Sequence, residues 1–548
     1  MGEGFGANGL ERGASGRDVL TLDAMLRTHA RLQPERIGAR DLERALTFRQ
    51  WNARACRLAH ALAGLGLVRG DRVAVLAFNR VEWAEIYMAC AKGGFVAVPI
   101  NFRLVGTEIR FILEDSGAAA ILVEDALRGA VETIRDELDL LADRFVLIGG
   151  SRPGWRLYED WLVAGRDGEP EADVGPDDAW CLMYTSGTTR RPKGAVRTHR
   201  DMAMLAMMSE IELSLGRRDE ALLVMPMCHA NSLNFFSAFL FCGAAVSILS
   251  RPSFDAELCL RTLAETGATF TSLVPTHYEM MLDARGRGAE YGRVEKLMVS
   301  SAPARVETKR AVMEMFPNSG LYELYGSTEA GWVTFLHPHE LFDHLGTVGR
   351  EVVGSLPVRF LDDEGRDVAD GEPGELFSSS PYAFAGYWNR PDKTAQAHRG
   401  DYLSVGDVGL RDADGFIRLI DRLKNMIITG GENVYPTEVE AALARHPAVR
   451  DVAVIGRPDP RWGERVEAAV VLREGTAVTA AELMDWSRAH LSGFKRPRGV
   501  TFIEAHEMPR NATGKILHRV LRETIEGKGA ARTPEGREAP ATPGKGTT

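Results

Sequence analysis

The chain has 548 residues, of which 45% are apolar and 26% charged, the composition of an ordinary soluble globular protein with room for about three to four domain-sized units. A formal net charge of −10 argues against a nucleic-acid partner, because phosphate-backbone binding needs excess Lys and Arg. Cys56, Cys90, Cys181, Cys228, Cys242 and Cys259 form no CxxC pair and no metal-ligand spacing, so a reduced, cytoplasmic setting is expected.

Residues 1–17 (MGEGFGANGLERGASGR) lack the basic start and apolar core of a signal peptide, and a flexible N-terminus is expected there. From residue 18 onward, strand-like apolar runs alternate with helix-period segments: RVAVLAF at 72–78, RVEWAEIYMACAKGG at 80–94, FVAVPIN at 95–101. The same order returns at 258–276 and 294–303, which predicts an α/β fold of layered, largely parallel sheets. The stretch 230–250 carries no charge and is just long enough to cross a bilayer. Its Asn231, Ser232, Asn234, Ser237, Gly243 and Ser247 favour a buried helix followed by a strand, and no transmembrane segment is expected.

Around 350–420 short segments are punctuated by Asp-Gly and Gly-Glu-Pro-Gly, the texture of a β-rich subdomain with hairpin turns. A smaller α+β unit is expected over 424–526, opening with a helix whose first turn suits Pro436. The large N-terminal domain then spans 18–423. The tail 527–548 has almost nothing with which to build a core and is expected to be disordered.

The run Tyr184-Thr-Ser-Gly-Thr-Thr-Arg-Arg-Pro-Lys-Gly194 concentrates hydroxyls, glycines and a cation. A triphosphate offers many anionic oxygens in a small volume, so its cradle needs unobstructed backbone amides, hydroxyl donors and a mobile ammonium. Gly187 and Gly194 can supply the bare backbone, Thr185, Ser186, Thr188 and Thr189 the hydroxyls, and Lys193 the cation. The competing reading is a solvated Ser/Thr turn after a strand. It is not a Walker A loop, because Lys193 is followed by glycine rather than by Ser or Thr.

With this loop at the end of an α/β region, the chain resembles the acyl-adenylate-forming superfamily of acyl-CoA and aryl-CoA synthetases, peptide-synthetase adenylation domains and beetle luciferase. The resemblance covers about residues 20–526, and it implies the adenylate-forming fold: a large α/β domain with a β-rich subdomain and a small mobile lid. Leu324-Tyr-Gly-Ser-Thr-Glu-Ala330 resembles the YGxTE signature. By that resemblance Tyr325 stacks on adenine beside Gly326 and Ser327, Thr328 meets the α-phosphate, and Glu329 holds Mg²⁺ together with Thr185. Mg²⁺ takes one or two carboxylates plus substrate phosphates. Ser301, Ala302 and Pro303 look like the small-residue turn lying against adenine, and Asp407, assisted by Arg422, like the ribose-binding carboxylate. Each of these is also compatible with an ordinary turn.

Lys424 falls on the family's hinge position. Pro509-Arg-Asn-Ala-Thr-Gly-Lys515 resembles the C-terminal signature whose lysine serves adenylation only, although a surface lysine is the commoner fate of Gly-Lys. Thr429-Gly-Gly-Glu-Asn-Val-Tyr-Pro436 resembles the segment bordering the pantetheine channel, which implicates Gly430, Gly431 and Glu432 in CoA binding. Trp462 falls where relatives pack a tryptophan near the same arm, or is a core residue. Arg457, Lys495, Arg496 and Arg498 read as a solvated charged face before a CoA-phosphate site. His229, Ala230, Asn231, Phe235 and Trp332 are expected at the acyl pocket, His229 as a pocket residue more than a proton carrier. Ala230 supports recognition of neither an ammonium nor a phenol. Arg190 departs from the glycine or small residue usual in the family's loop.

The reading is an ATP- and Mg²⁺-dependent acid–CoA ligase that forms an acyl-AMP and then a thioester, with Lys515, Glu329, Thr328 and His229 as its reactive set. The expected partners are a short, medium-chain or aromatic carboxylic acid, ATP and CoA, with a homodimer left open. Two alternatives stand: a free-standing enzyme loading a carrier protein, and an inactive nucleotide-binding module.

Overall fold

The computed structural model describes residues 21–163, 165–185, 191–284, 291–302, 304–511 and 514–530. The chain divides into two compact units between Leu419 and Ile420, inside the strand Ile417–Arg422.

Two sheets dominate the first unit. A nine-stranded sheet has at its centre the parallel strands Ile37–Arg40, Ala245–Ile248, Glu220–Leu223, Phe270–Leu273, Lys296–Ser300 and Gly320–Ser327. Antiparallel strands flank it, Gly331–Leu336 following Gly320–Ser327 as a hairpin. In the eight-stranded sheet, Val96–Pro99 lies between Arg72–Leu76 and Ala179–Thr185. Ala179–Thr185 pairs antiparallel with Lys193–Thr198, which in turn pairs with Gly386–Tyr387. The crossover helices make these strands parallel, and their apolar runs reflect burial on both faces.

The core shared by these sheets is built on helices that are buried nearly all round. In Glu82–Gly93 every residue from Glu82 to Lys92 is buried, and Ala230–Cys242 is almost as enclosed, as expected of helices with no solvent face. Their rings interlock: Tyr87 lies 5.6 Å from Trp180 and 5.9 Å from Phe236, and Phe236 lies 5.7 Å from Trp51. Each such buried side chain contributes roughly 1.5–3 kcal/mol. The uncharged stretch is therefore a buried helix, ended by Gly243 at φ 73°, and the strand Ala245–Ile248. No helix among the described residues is long and apolar enough to cross a membrane.

The region after 350 forms a further sheet containing the antiparallel pair Arg359–Leu361 and Gly374–Phe377, with Asp407–Arg411 beside it. In the second unit, Val449–Asp459 and Gly463–Leu472 form a long antiparallel hairpin, extended by Ile427–Thr429, Glu432–Val434 and the parallel strand Gly499–Phe502. The helix Pro436–Ala444 has Pro436 in its first turn.

Two boundaries differ from the sequence reading: the units divide between Leu419 and Ile420 rather than before Lys424, and the last helix reaches past residue 527. The last helix runs His518–Ala530, beyond the residue 527 at which disorder was expected to begin. Leu521 and Ile525, one turn apart, are buried against Ala453, Ile455, Ala469 and Val471. Helix growth is cooperative once a turn is anchored, so the helix continues through Gly527 and Gly529. Residues 531–548 lie outside the described residues.

His199 opens the helix His199–Leu213 with no exposed surface. Its Nδ1 accepts from the Leu22 N–H at 3.2 Å, and its Nε2 has no partner among the described residues. Burial lowers its pKa to about 4. The unfolded chain therefore takes up a proton near pH 6.5 that the folded chain refuses, so His199 costs stability progressively as pH falls toward 4. By pH 5 the loss relative to pH 8 should be about 2 kcal/mol. Urea unfolding of the wild type and of His199→Gln across this range should show their stability difference change by that amount; a pH-independent difference would contradict it.

Candidate active site

The segment expected to cradle phosphate leaves the sheet where Thr185 faces Lys193 across the antiparallel pair. Ser186, Gly187, Thr188, Thr189 and Arg190 lie outside the described residues. The flanks of the loop rest on the helix Gly106–Ser116. The Tyr184 hydroxyl donates to Asp115 Oδ2 at 2.7 Å, Arg390 Nη2 donates to Asp115 Oδ1 at 2.8 Å, and the Arg191 guanidinium lies 5.5 Å from the Phe111 ring centre. Phe111 and Asp115, one helical turn apart, thus meet both flanks. Gly194 serves packing as well as access, since a Cβ there would stand 3.0 Å from Leu182 Cδ1 and 3.2 Å from Tyr184 Cζ.

Glu329 follows the strand Gly320–Ser327 and is 7% exposed. Its Oε1 accepts from the Thr185 hydroxyl at 3.3 Å and from the Tyr387 hydroxyl at 2.9 Å. The Lys193 ammonium stands 3.7 Å from the centre of the Tyr387 ring. The turn itself is held from below by Arg197, which has no exposed surface. Its Nε donates to Asp201 Oδ1 at 2.9 Å, Nη1 to the Thr328 carbonyl at 2.9 Å, and Nη2 to the Tyr382 carbonyl at 3.0 Å. Phe384 N–H donates to the Glu329 carbonyl at 2.7 Å, and Ala330 N–H to Ser327 Oγ at 2.9 Å. Gly326 is obligatory in this crossing, because a Cβ would meet the Gly331 carbonyl oxygen at 2.2 Å.

Two more expected nucleotide residues meet directly: the Tyr325 hydroxyl donates to Asp407 Oδ2 at 2.7 Å. Ser301 ends the neighbouring strand in the left-handed region at φ 70°, a conformation non-glycine residues adopt at some cost; Ala302 follows it and Pro303 lies outside the described residues.

His229 precedes the helix Ala230–Cys242, and desolvation lowers its pKa to about 4, so the ring is neutral near pH 7. Asn231 Nδ2 donates to Ser272 Oγ at 2.9 Å and Ser300 Oγ at 2.8 Å, joining the helix start to two strand ends. One turn deeper, Phe235 is fully buried, 4.6 Å from Phe270 and 5.7 Å from Trp332 by ring centres. Trp332, 1% exposed, stacks on Phe335 at 5.1 Å. Phe235 and Trp332, expected at the pocket, are thus closed into an aromatic plug beneath Asn231.

In the second unit, Asp421 accepts from the backbone N–H groups of Arg422 and Thr437 and from Asn425 Nδ2, so the segment carrying Arg422 and Lys424 is tied to the start of the helix Pro436–Ala444. Gly430, at φ 62°, donates its N–H to the Trp462 carbonyl at 2.8 Å, and a Cβ there would stand 2.9 Å from Trp462 Cε3. Gly431, at φ 87°, has open space around it and Glu432 is exposed. The Trp462 ring has Arg461 at 4.7 Å and Arg498 at 5.0 Å. Arg457 and Lys495 are spent on Glu467 and Glu438, and Arg496 donates to the Leu491 carbonyl. Lys515 follows Gly514, at φ 77°; Asn511 Oδ1 accepts from the Lys515 N–H at 2.9 Å, and Arg510 pairs antiparallel with Ile516.

The donor set at Glu329 suits Mg²⁺. It offers hard carboxylate and hydroxyl oxygens, and no cluster of three His, Cys, Asp or Glu suited to a metal occurs among the described residues, leaving most ligand positions to phosphate and water. Sequence reasoning missed Arg197, Asp115 and Tyr387. Arg197 did leave a signal: a charge beside Thr198 and Asp201, which form a capping box.

A large unit of two α/β sheets followed by a small α+β unit is the architecture of an adenylate-forming enzyme. Residues 26–388 match the profile described as AMP-binding enzyme and residues 438–515 that of the AMP-binding enzyme C-terminal domain; the chain belongs to the AMP-binding enzyme family. It is 35% identical over 493 residues to a feruloyl-CoA synthase of an Amycolatopsis species, covering 89% of this chain and 96% of that one. It is also 35% identical over 488 residues to the long-chain-fatty-acid–CoA ligase FadD13 of Mycobacterium tuberculosis, covering 87% and 93%. The o-succinylbenzoate CoA synthetase MenE of Bacillus subtilis, solved with ATP and magnesium ion, superposes with a TM-score of 0.80 at 28% identity, covering 92% of this chain and 99% of that one.

Arg197→Met leaves buried Asp201 without its cationic partner and removes the Arg197 donor from two carbonyls, and should cost about 3–5 kcal/mol. Arg197→Lys restores the charge but not the three-way reach. Thermal unfolding with parallel pyrophosphate-release assays should show both variants destabilised and impaired, the lysine variant less; a wild-type midpoint for Arg197→Met would contradict the assignment.

Proposed function

We propose that this AMP-forming acid–CoA ligase activates a short, medium-chain or aromatic carboxylic acid, with its nucleotide held by the hairpin of Thr185 and Lys193, the Tyr325–Glu329 turn and Asp407. The observation that carries the proposal is the convergence of Thr185, Glu329, Lys193 and Tyr387 beside the Tyr325–Asp407 pair. The substrate carboxylate attacks the α-phosphorus of ATP, the bond to the β-phosphate oxygen breaks, and pyrophosphate leaves. The resulting mixed anhydride has a good leaving group where the free acid had none. The CoA thiol, losing its proton, then attacks the acyl carbonyl and AMP departs with the bonding pair.

Thr185 and Glu329 would hold Mg²⁺, which supplies charge neutralisation to the phosphates when bound. Lys193 neutralises phosphate oxygens, Thr328 contacts the α-phosphate, and Asp407 with Arg422 accepts or donates to the ribose. Ser301 and Ala302 leave room for adenine. His229, neutral near pH 7, walls the acyl site. Gly430, Gly431 and Glu432, with Trp462 against Gly430, border the passage for the pantetheine arm, where any bulk at Gly430 meets Trp462. Lys515 serves the first half-reaction only, Lys424 being the hinge of a small domain over 424–526. The aromatic plug of Phe235, Phe270 and Trp332 supports a short acyl site. A cytoplasmic setting belongs to the same reading, supported by six free cysteines.

Pyrophosphate release with MgATP across short, medium, long and aromatic acids, with and without CoA, tests the whole reading. Release that depends on a short or aromatic acid and quickens with CoA is expected. Lys515→Ala should slow acyl-AMP formation about 10²-fold or more and leave thioester formation from supplied acyl-AMP near wild type; equal loss of both would sink the role given to Lys515. Trp332→Leu, which shortens the plug, should raise kcat/KM for acids longer than the preferred one about tenfold, as read from the same panel. An unchanged ranking of acids would remove Trp332 from specificity.

A further inference from the structure

We propose that Tyr387 is the positioning residue of the phosphate and cation site, holding Glu329 by its hydroxyl and Lys193 by its ring. The proposal rests on the reading of Glu329 as the cation-holding carboxylate.

Three observations on Tyr387 combine. It pairs with Ala195 in the strand Lys193–Thr198, and Lys193 is therefore its diagonal neighbour two residues along. That register explains why the ammonium lies over the ring at 3.7 Å, well inside the range at which a cation is attracted to an aromatic face. At the far end of the same ring the hydroxyl donates to Glu329 Oε1 at 2.9 Å. The Thr185 hydroxyl donates to the same oxygen, while Oε2 takes no hydrogen bond among the described residues. The carboxylate is thus fixed in rotation with one oxygen committed and the other presented.

The ring has little freedom to do otherwise. Tyr387 is 8% exposed and packs edge-on against Phe384 at 4.8 Å. Its own N–H donates to Thr394 Oγ1 at 2.9 Å, and the preceding Gly386, at φ 135°, is so close to Thr394 that a Cβ would stand 3.1 Å from its side chain. Phe384 in turn donates its N–H to the Glu329 carbonyl. The segment 384–387 therefore grips Glu329 at both its backbone and its side chain. Partners that orient a metal-holding carboxylate through its other oxygen matter nearly as much as the carboxylate itself.

The experiment compares the full-length wild type with Tyr387→Phe, Tyr387→Leu and Glu329→Gln. Equilibrium binding of ATP is measured by calorimetry with and without Mg²⁺, the Mg²⁺ activation constant by pyrophosphate release, and folding by thermal midpoint. Tyr387→Phe keeps the ring and should weaken the Mg²⁺-dependent part of ATP binding about tenfold, leaving Mg²⁺-free binding and the thermal midpoint near wild type. Tyr387→Leu should in addition weaken Mg²⁺-free ATP binding about threefold, through the loss of the ring beneath Lys193. If Glu329→Gln loses the Mg²⁺ effect while Tyr387→Phe retains it, the positioning role is overturned. A Glu329→Gln variant with a wild-type Mg²⁺ effect would instead overturn the reading of Glu329 itself. A lowered midpoint with an unaltered ratio of Mg²⁺-bound to Mg²⁺-free affinity would reduce Tyr387 to packing.

Discussion

A guanidinium with no access to water needs its nitrogens answered, and each of the three in Arg197 donates a hydrogen bond, one to Asp201 four residues on and two to segments distant in the chain. Its Nε, Nη1 and Nη2 reach Asp201, the Thr328 carbonyl and the Tyr382 carbonyl. Leaving any of these unpaired in the interior would cost more than a surface contact could return. The geometry is therefore close to all-or-none: the hairpin strand, the Ser-Thr-Glu turn and the segment before Phe384 are assembled together. Glu329 comes to stand over Thr185 because its neighbour's carbonyl is fixed from beneath.

The other supports of the site follow the same logic at lower cost. Asp115 takes a tyrosine hydroxyl and an arginine on its two oxygens, and Phe111 receives Arg191 one helical turn away. Regular elements thus fix Tyr184 and Arg191, the residues on either side of 185–190. The acyl side is built differently. There Asn231 links a helix start to two strand ends, and the aromatic rings below it fill the interior by shape alone.

In the small unit the constraint is steric. Gly430 and Trp462 are joined by a backbone hydrogen bond at a separation no side chain at Gly430 would tolerate. The left-handed conformation of Gly430 independently excludes most residues. Arg457 and Lys495 are placed differently: each forms an ion pair, with Glu467 and Glu438 respectively.

The sequence by itself determined the α/β class and the uncharged stretch as buried helix plus strand, and it named the residues proposed for the nucleotide site. Those residues were legible because a phosphate cradle or a cation-holding turn needs particular side chains within a few positions of one another, as in 184–194 and 325–329. The end of the last helix was misplaced because two buried contacts, Leu521 and Ile525, carry it past glycines that local propensity would have used as a stop. What only the tertiary structure decided was which distant residues complete the site: Tyr387 with Glu329, Arg197 with Thr328, Asp115 with Tyr184. It also decided that Phe235 and Trp332 turn inward onto each other. These are contacts between segments tens to hundreds of residues apart. Sheet register and the satisfaction of buried polar groups select them, and neither is written in any local pattern of residues.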